Sequence, residues 1–472
     1  MREYSMWVGG KALSSGKTYE LRLPYDGSFT ARVAEGDETS LEAACSAAAA
    51  GAAAMALMSN AERSDLLFRV VSLLNDNAAE LSELLTLETG KPIKESRIEA
   101  DRAQQTLIAS AIVARELTGE AIPIDGSPIG KGRLAMTIRE PLGIIGAITP
   151  FNLPLNLALH KVGPALAGGN AIVHKPSEQT PLSAIRLAQL FTEAGAPAGA
   201  YNVVTGDGAK IGQQLVRDPR IRMITFTGSV EVGKEIKNNA GLKRVTLELG
   251  GNSGLIVDHD ADLDLAVSRA VPGCFLLSGQ TCLSVQRIYA HESVLSAFTT
   301  RFLTAMEALQ IGHPMEESTD ISSLISEAEA KRVESWIEDA IKLGAKLIKG
   351  GKRTGATITP AVLQHVPAEA KMSCDEIFGP VVALNSFSDL NDAIHAVNET
   401  PYGLQAGIFT RDLTRAFDAA RRLKVGGVII NDIPGFRADQ MPYGGVKNSG
   451  LGREGPRYAI EEMTEMKLIC WR

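Results

Sequence analysis

Cysteine is scarce and unpatterned in this chain. Its five residues, Cys45, Cys274, Cys282, Cys374 and Cys470, are odd in number and form no CxxC pair or Cys/His cluster. Neither a disulfide framework nor a metal site is expected, and a reducing compartment fits best. Base is not in excess either. The 48 Lys and Arg against 55 Asp and Glu leave a net charge of −7, without a footprint for nucleic acid or a polybasic membrane segment. The uncharged stretch 141–159 is broken by Pro150, Asn152, Pro154 and Asn156. It reads as a buried strand and polar turn, not a membrane span. The N-terminal Met1-Arg2-Glu3-Tyr4-Ser5 has no apolar signal-peptide region. No repeat or low-complexity linker stands out. The expectation is a cytoplasmic protein that handles a small molecule.

What is present is a long chain with a rhythm. Its 472 residues are 45% hydrophobic, enough for two or three soluble domains. Residues 40–118 read as helices, with Ser59 or Asn60 as a cap and Gly90-Lys91-Pro92 as a stop. Residues 133–140 alternate like a half-exposed strand. Apolar strands are then predicted at 143–149, 170–174, 201–204 and 223–227. Helices at 155–168, 181–194, 208–216 and 229–239 lie between them. That alternation makes a parallel α/β sheet with ligands at the carboxyl ends of its strands. A second αβ series restarts near Glu248, with strands at 254–257, 284–290, 381–385 and 427–431. Residues 464–471 form a last strand.

The turns carry the chemistry. Gly279-Gln280-Thr281-Cys282 puts a thiol in a small polar turn, which suits an activated nucleophile or a buried structural cysteine. Gly228-Ser-Val-Glu-Val-Gly233-Lys234 resembles a P-loop, but Glu235 stands where Ser or Thr would hold Mg²⁺, so nucleotide hydrolysis is excluded. A glycine turn feeding a helix still suits a pyrophosphate. Gly206-Asp-Gly208-Ala-Lys-Ile-Gly212 is one residue too long for the dinucleotide fingerprint. Lys175-Pro-Ser177-Glu178 follows a strand and offers a ribose two partners; its acid favours a free 2′-hydroxyl over a 2′-phosphate. In Thr246-Leu-Glu248-Leu249-Gly-Gly251 a carboxylate lies between leucines. It is either a general base with a raised pKa or an acid satisfied by the Gly250 and Gly251 amides.

Seven stretches occur in one order: Ile148-Thr-Pro-Phe-Asn152, Lys175-Pro-Ser-Glu178, Phe226-Thr-Gly-Ser229, Leu247-Glu-Leu-Gly-Gly251, Gly279-Gln-Thr-Cys282, Glu376-Ile-Phe-Gly-Pro380 and Pro442-Tyr-Gly-Gly445. In them the chain resembles the aldehyde dehydrogenase superfamily. The resemblance implies a Rossmann-like cofactor domain (1–118 and 141–247), an α/β catalytic domain (248–434) and a small β oligomerisation segment (119–140 with the C-terminal tail 435–472). A homodimer or homotetramer follows from its edge strands. The resemblance also implies roles. Cys282 would attack the aldehyde, with the oxyanion held by the Asn152 amide and the Cys282 N–H. Hydride would pass to a nicotinamide, leaving a thioester on Cys282, and Glu248 would activate the water that releases the acid. NAD is the implied cofactor, with NADP possible. It would lie against Thr149, Pro150 and Phe151, against Lys175, Ser177 and Glu178, against Gly208, Phe226, Gly228, Ser229 and Leu249, and against Glu376 and Phe378. Arg102, His160, Thr281 and Arg437 are the candidate substrate contacts. They point to a small polar or anionic aldehyde, in the branch of lactaldehyde, succinate-semialdehyde and phosphonate-aldehyde dehydrogenases. Thr281 stands where relatives acting on glyceraldehyde 3-phosphate often carry Arg. The alternatives are that non-phosphorylating activity, a broad aldehyde scavenger, or a catalytically silent protein on the same fold.

Overall fold

The computed structural model describes residues 3–472. Its largest sheet has eight strands, in the spatial order Gly450–Leu451, Arg244–Glu248, Ile221–Thr227, Ile144–Ile148, Ala171–Lys175, Tyr201–Val203, Met6–Val8 and Lys11–Leu13. The middle five are parallel. The chain builds rightward from Ile144–Ile148, then returns to its left for Ile221–Thr227. That reversal opens a crevice beside the carboxyl end of Ile144–Ile148. Five residues after Glu248 a seven-stranded sheet begins with Ser253–Val257. Its order is Lys346–Lys349, Ala361–Gln364, Val381–Phe387, Val285–His291, Ser253–Val257, Gln405–Phe409, Gly427–Ile430. Only Lys346–Lys349 runs antiparallel in it. A third sheet pairs Thr464–Trp471 with Leu134–Pro141 and Ala121–Ile122, all antiparallel.

Local signals set the helices that flank the site. Ser59 and Glu62 form a reciprocal capping box on Asn60–Asp76. The next helix, Ala78–Thr89, ends at Gly90 in a left-handed conformation. The helix Glu38–Leu57 is long and apolar enough to match a membrane span. Its face of Leu41, Ala44, Cys45, Ala48 and Met55 is nevertheless buried, and it packs on Ala171–Lys175 and Tyr201–Val203.

Three expectations needed correction. The predicted helix over 208–216 is a π-turn, Gly208–Gly212, followed by a short helix, Gln213–Arg217. Five N-terminal strands, Glu3–Tyr4, Met6–Val8, Lys11–Leu13, Thr18–Arg22 and Phe29–Ala34, were not foreseen. They are short edge and ribbon strands whose residues are set by partners far along the chain. The helix Leu263–Phe275 was missed because Pro272 interrupts its pattern.

Candidate active site

The loop that carries Cys282 starts where Leu263–Phe275 stops. Leu277, Ser278 and Gly279 all take left-handed backbone angles, with φ of 53°, 53° and 74°. Such angles cost a non-glycine residue about 1–2 kcal/mol, so the surroundings must impose them. Both carboxylate oxygens of buried Glu95 accept from the Leu277 N–H, at 3.0 and 3.1 Å. Ser278 Oγ donates to the Ser322 carbonyl at 3.0 Å. Gln280 accepts from the Ile325 N–H at 2.9 Å and donates to the Leu277 carbonyl at 3.2 Å. Gly279 has to be glycine twice over: besides its φ, a Cβ would stand 2.1 Å from the Gly379 carbonyl oxygen.

This turn delivers Cys282, half-buried, to a cavity of about 250 Å³. Its Sγ lies 3.1 Å from Tyr443 Oη. Burial pushes the thiol up to about 11, against the Tyr443 contact. Asn152 meets the loop from the turn after Ile144–Ile148. One N–H of its amide goes to the Gln280 carbonyl at 2.9 Å. Its backbone carbonyl accepts from Lys91 Nζ at 3.3 Å. Lys91 is ion-paired with buried Glu99, which also accepts from the Leu155 and Asn156 N–H groups at 2.9 and 3.0 Å.

Glu248 ends its strand fully surrounded, and neither carboxylate oxygen has a partner among the described residues. The alternative of an acid satisfied by the Gly250 and Gly251 amides fails, because the Gly251 N–H donates to Glu376 at 3.0 Å. Burial, then the charge of Glu454, pushes Glu248 well above the ordinary carboxylate range. Arg437, Lys161 and Arg453 oppose that shift. Gly444 makes the room, since a Cβ there would stand 2.9 Å from Glu248 Oε1.

On the sheet side of the crevice, Lys175 Nζ donates to Glu178 Oε1 at 2.7 Å, and the Gly208 N–H reaches the same oxygen. Ser229 caps Val230–Asn239 by accepting from the Val232 N–H at 3.3 Å. Next to these lies an apolar slot of about 240 Å³, lined by Ile148, Gly208, Gly212, Val216, Val232 and Ile236. Glu376 is pushed up to about 7 by burial. Phe151 and Phe378 meet edge to face, their centroids 5.8 Å apart.

The sequence model of the aldehyde dehydrogenase family matches residues 11–469. The chain belongs to the aldehyde dehydrogenase family. It is 44% identical to a 3-sulfolactaldehyde dehydrogenase of Priestia megaterium, over 99% of this chain and 98% of that one. It is 41% identical to a lactaldehyde dehydrogenase of Methanococcus aeolicus, over 98% and 99%. The crystal structure of aldehyde dehydrogenase 21 from Physcomitrella patens, in complex with the reaction product succinate, is 40% identical. It superposes with a TM-score of 0.97, covering 100% of this chain and 98% of that one.

The expected residues of this aldehyde dehydrogenase do not all face the crevice. Thr149 turns inward to His174 at 2.8 Å. Phe226 is buried and packs over Gly228, and Leu249 is buried against Gly233. Ser177 Oγ is used by the Gln179 N–H at 3.3 Å. The side chains of Thr149, Phe226 and Leu249 build the turns rather than the crevice surface, while Ser177 stays half-exposed. At the other end, Arg102, Thr281 and Arg437 line the Cys282 cavity, but His160 does not. It is fully buried behind Arg437, with Nε2 3.1 Å from Asp439 Oδ1 and Nδ1 3.3 Å from Arg437 Nη2. Burial and Arg437 push it down to about 4, so it is neutral. Its helical spacing from Asn152 gave its face but not its depth.

Several residues of the site were not found from sequence. Lys161 is fully buried, donating to Thr227 at 2.8 Å and to Glu454 at 2.7 Å. Against its burial, Glu454 is held down to about 2, first by Lys161 and also by Arg437. A lysine inside the apolar helix Pro154–Ala167 was a usable signal, because a buried lysine needs an acid. Asp439, which also pairs with Arg102 at 3.0 Å, gave none.

Glu95→Ala would leave the Leu277 N–H buried and unsatisfied, at a cost of about 1–3 kcal/mol. The expected outcome is a lower melting temperature together with slower iodoacetamide labelling of Cys282. Unchanged labelling would show that Glu95 does not set the loop.

Proposed function

We propose that this enzyme oxidises a short aldehyde with an anionic tail to its carboxylic acid, through a covalent thioester on Cys282. Arg102, Arg269 and Arg437 all stand on the wall of the Cys282 cavity. Arg269 is paired with Asp432 at 2.6 Å, and the observation that carries the tail is the other two guanidinium groups. Arg102 is half-exposed there. Arg437 is buried, and its Nε has no partner among the described residues. Guanidinium groups on a cavity wall offer an anionic tail charge-assisted hydrogen bonds. Two relatives fit this chemistry, one named for a sulfonated aldehyde and one crystallised with a dicarboxylate product. Lactaldehyde, the neutral aldehyde in the second relative's name, is the other reading.

In this mechanism Cys282 adds to the aldehyde carbon. The second N–H of Asn152 and the Cys282 N–H stabilise the oxyanion. A nicotinamide dinucleotide, when bound, supplies the two-electron acceptor. The crevice suits one: an apolar slot sits beside a helix N-terminus, and the free edges of Glu178 and Glu376 are available to ribose hydroxyls. Glu248 takes a proton from water as that water attacks the thioester. It does so only as the carboxylate, and its pKa is raised, so deacylation speeds up as pH rises through that pKa.

Cys282→Ala should abolish turnover and keep NADH binding. Glu248→Gln should keep a rapid first burst of NADH and lose the later turnover and its rise with pH. Full turnover in Cys282→Ala would end the proposal.

NAD preference is proposed from Glu178, whose carboxylate would repel a 2′-phosphate. The ratio of kcat/KM with the two cofactors should fall at least tenfold towards NADP in Glu178→Thr. A ratio unmoved by that change would put the selectivity elsewhere.

An anionic tail gains about 1.5–3 kcal/mol from a charge-assisted contact, or about ten- to a hundredfold in kcat/KM. Carboxylate, sulfonate and neutral aldehydes of equal length should separate by that factor, and Arg102→Ala should shrink the gap. A panel led by propanal and longer alkyl aldehydes would instead favour a general scavenger.

We also infer a homodimer or homotetramer, because Leu134, Met136, Leu468 and Trp471 are exposed along one antiparallel sheet. A cytoplasmic setting is inferred from five unpaired cysteines.

A further inference from the structure

The residues of the mechanism above leave the nucleophile poorly served. Two of the charged groups that bear on Cys282, Glu248 and Glu376, are acids that oppose a thiolate; only Arg437 favours one by its charge. Tyr443 supplies what is missing. Its hydroxyl lies 3.1 Å from Sγ, and its side chain is buried, at 3% exposure. Tyr443 and Glu454 exchange backbone hydrogen bonds of 3.0 and 2.7 Å that hold the main chain, and burial restrains the ring. Arg437 Cζ stands 3.7 Å from the centroid of that ring, inside the roughly 6 Å range of a cation–π contact. The arginine is itself fixed, by His160 at 3.3 Å and Glu454 at 3.4 Å. A cation over a phenol ring draws charge from it and makes its O–H a stronger donor. A fixed donor aimed at a buried atom stabilises negative charge there without reorganisation.

We propose that Tyr443 is a catalytic residue whose hydroxyl donates to the Cys282 thiolate, and that the stacked Arg437 guanidinium strengthens that donor. The Pro442-Tyr-Gly-Gly445 turn then does two jobs. Gly444 makes room for Glu248, and Tyr443 tunes the sulfur. This inference rests on Cys282 being the nucleophile, as in the reading above.

The test is the pH dependence of Cys282 alkylation by iodoacetamide in the full-length enzyme, without aldehyde or cofactor. Labelling is followed by mass spectrometry on the Cys282 peptide, because Cys374 and Cys470 are not buried. Tyr443→Phe keeps the ring under Arg437 and removes the donor. Its labelling midpoint should rise by about one pH unit, and its labelling rate at neutral pH should fall about tenfold. A midpoint that stays or falls would overturn the proposal; a fall would mean that the hydroxyl accepts from the thiol. If Tyr443→Phe does not fold, a fluorinated tyrosine at position 443 decides the question. Its more acidic hydroxyl should lower the midpoint, and an unmoved or raised midpoint would overturn the proposal. The readout needs no turnover. Failure here therefore leaves the thioester reading to its own test, the loss of activity in Cys282→Ala.

Discussion

The active site depends on a backbone that would not hold its shape alone. Three consecutive left-handed residues, Leu277, Ser278 and Gly279, reverse the chain just before Cys282. They stay there because Glu95 grips the Leu277 N–H and because Gly279 lies flat on the Gly379 backbone. Glu95 comes from the helix Ile93–Glu116 and Gly379 from the turn before Val381–Phe387. Helices of the first half and the sheet of the second half therefore meet at this turn. The sulfur stands where it does because they do.

Burial sets the electrostatic state of the site. It pushes Cys282 and Glu248 up together. Two neighbouring negative charges in a dry cavity would be costly, so burial favours the neutral form of each. Compensation comes from behind the cavity wall, where Lys161, Glu454, Arg437, His160 and Asp439 form one connected polar cluster. Each member is buried and each has a partner, as buried charges require. The cluster presents Arg437 to the cavity from a position that Glu454 and His160 fix.

The fold was legible to the extent that period and punctuation specify it. The strands at Ile144–Ile148, Ala171–Lys175 and Ile221–Thr227 stood out as apolar runs bounded by turns. The helix Val230–Asn239 stood out by its pattern and by the glycine turn that feeds it. The N-terminal strands did not, because two- to six-residue edge segments carry little periodic signal. Within the site, residues that sit in turns at strand ends or between elements were readable as candidates: Asn152, Lys175, Glu178, Glu248, Cys282 and Glu376. Residues that act from inside helices were not. Lys161, Glu95 and Glu99 lie on helical faces that sequence marks only as one side or another.

The sequence alone determined the family and the α/β class, and it named the candidate nucleophile and base. Those features are local, carried by short motifs whose residue types the chemistry restricts. Depth and partnership were decided only by the tertiary structure. His160 and Arg437 looked alike in sequence as polar groups near the substrate, yet one is sealed behind the other. Gly250 and Gly251 seemed ready to satisfy Glu248, yet the Gly251 amide serves Glu376. The contact between Tyr443 and Cys282 spans 161 positions. Burial and hydrogen-bond choice depend on what packs from the other side, and nothing in a local pattern records that.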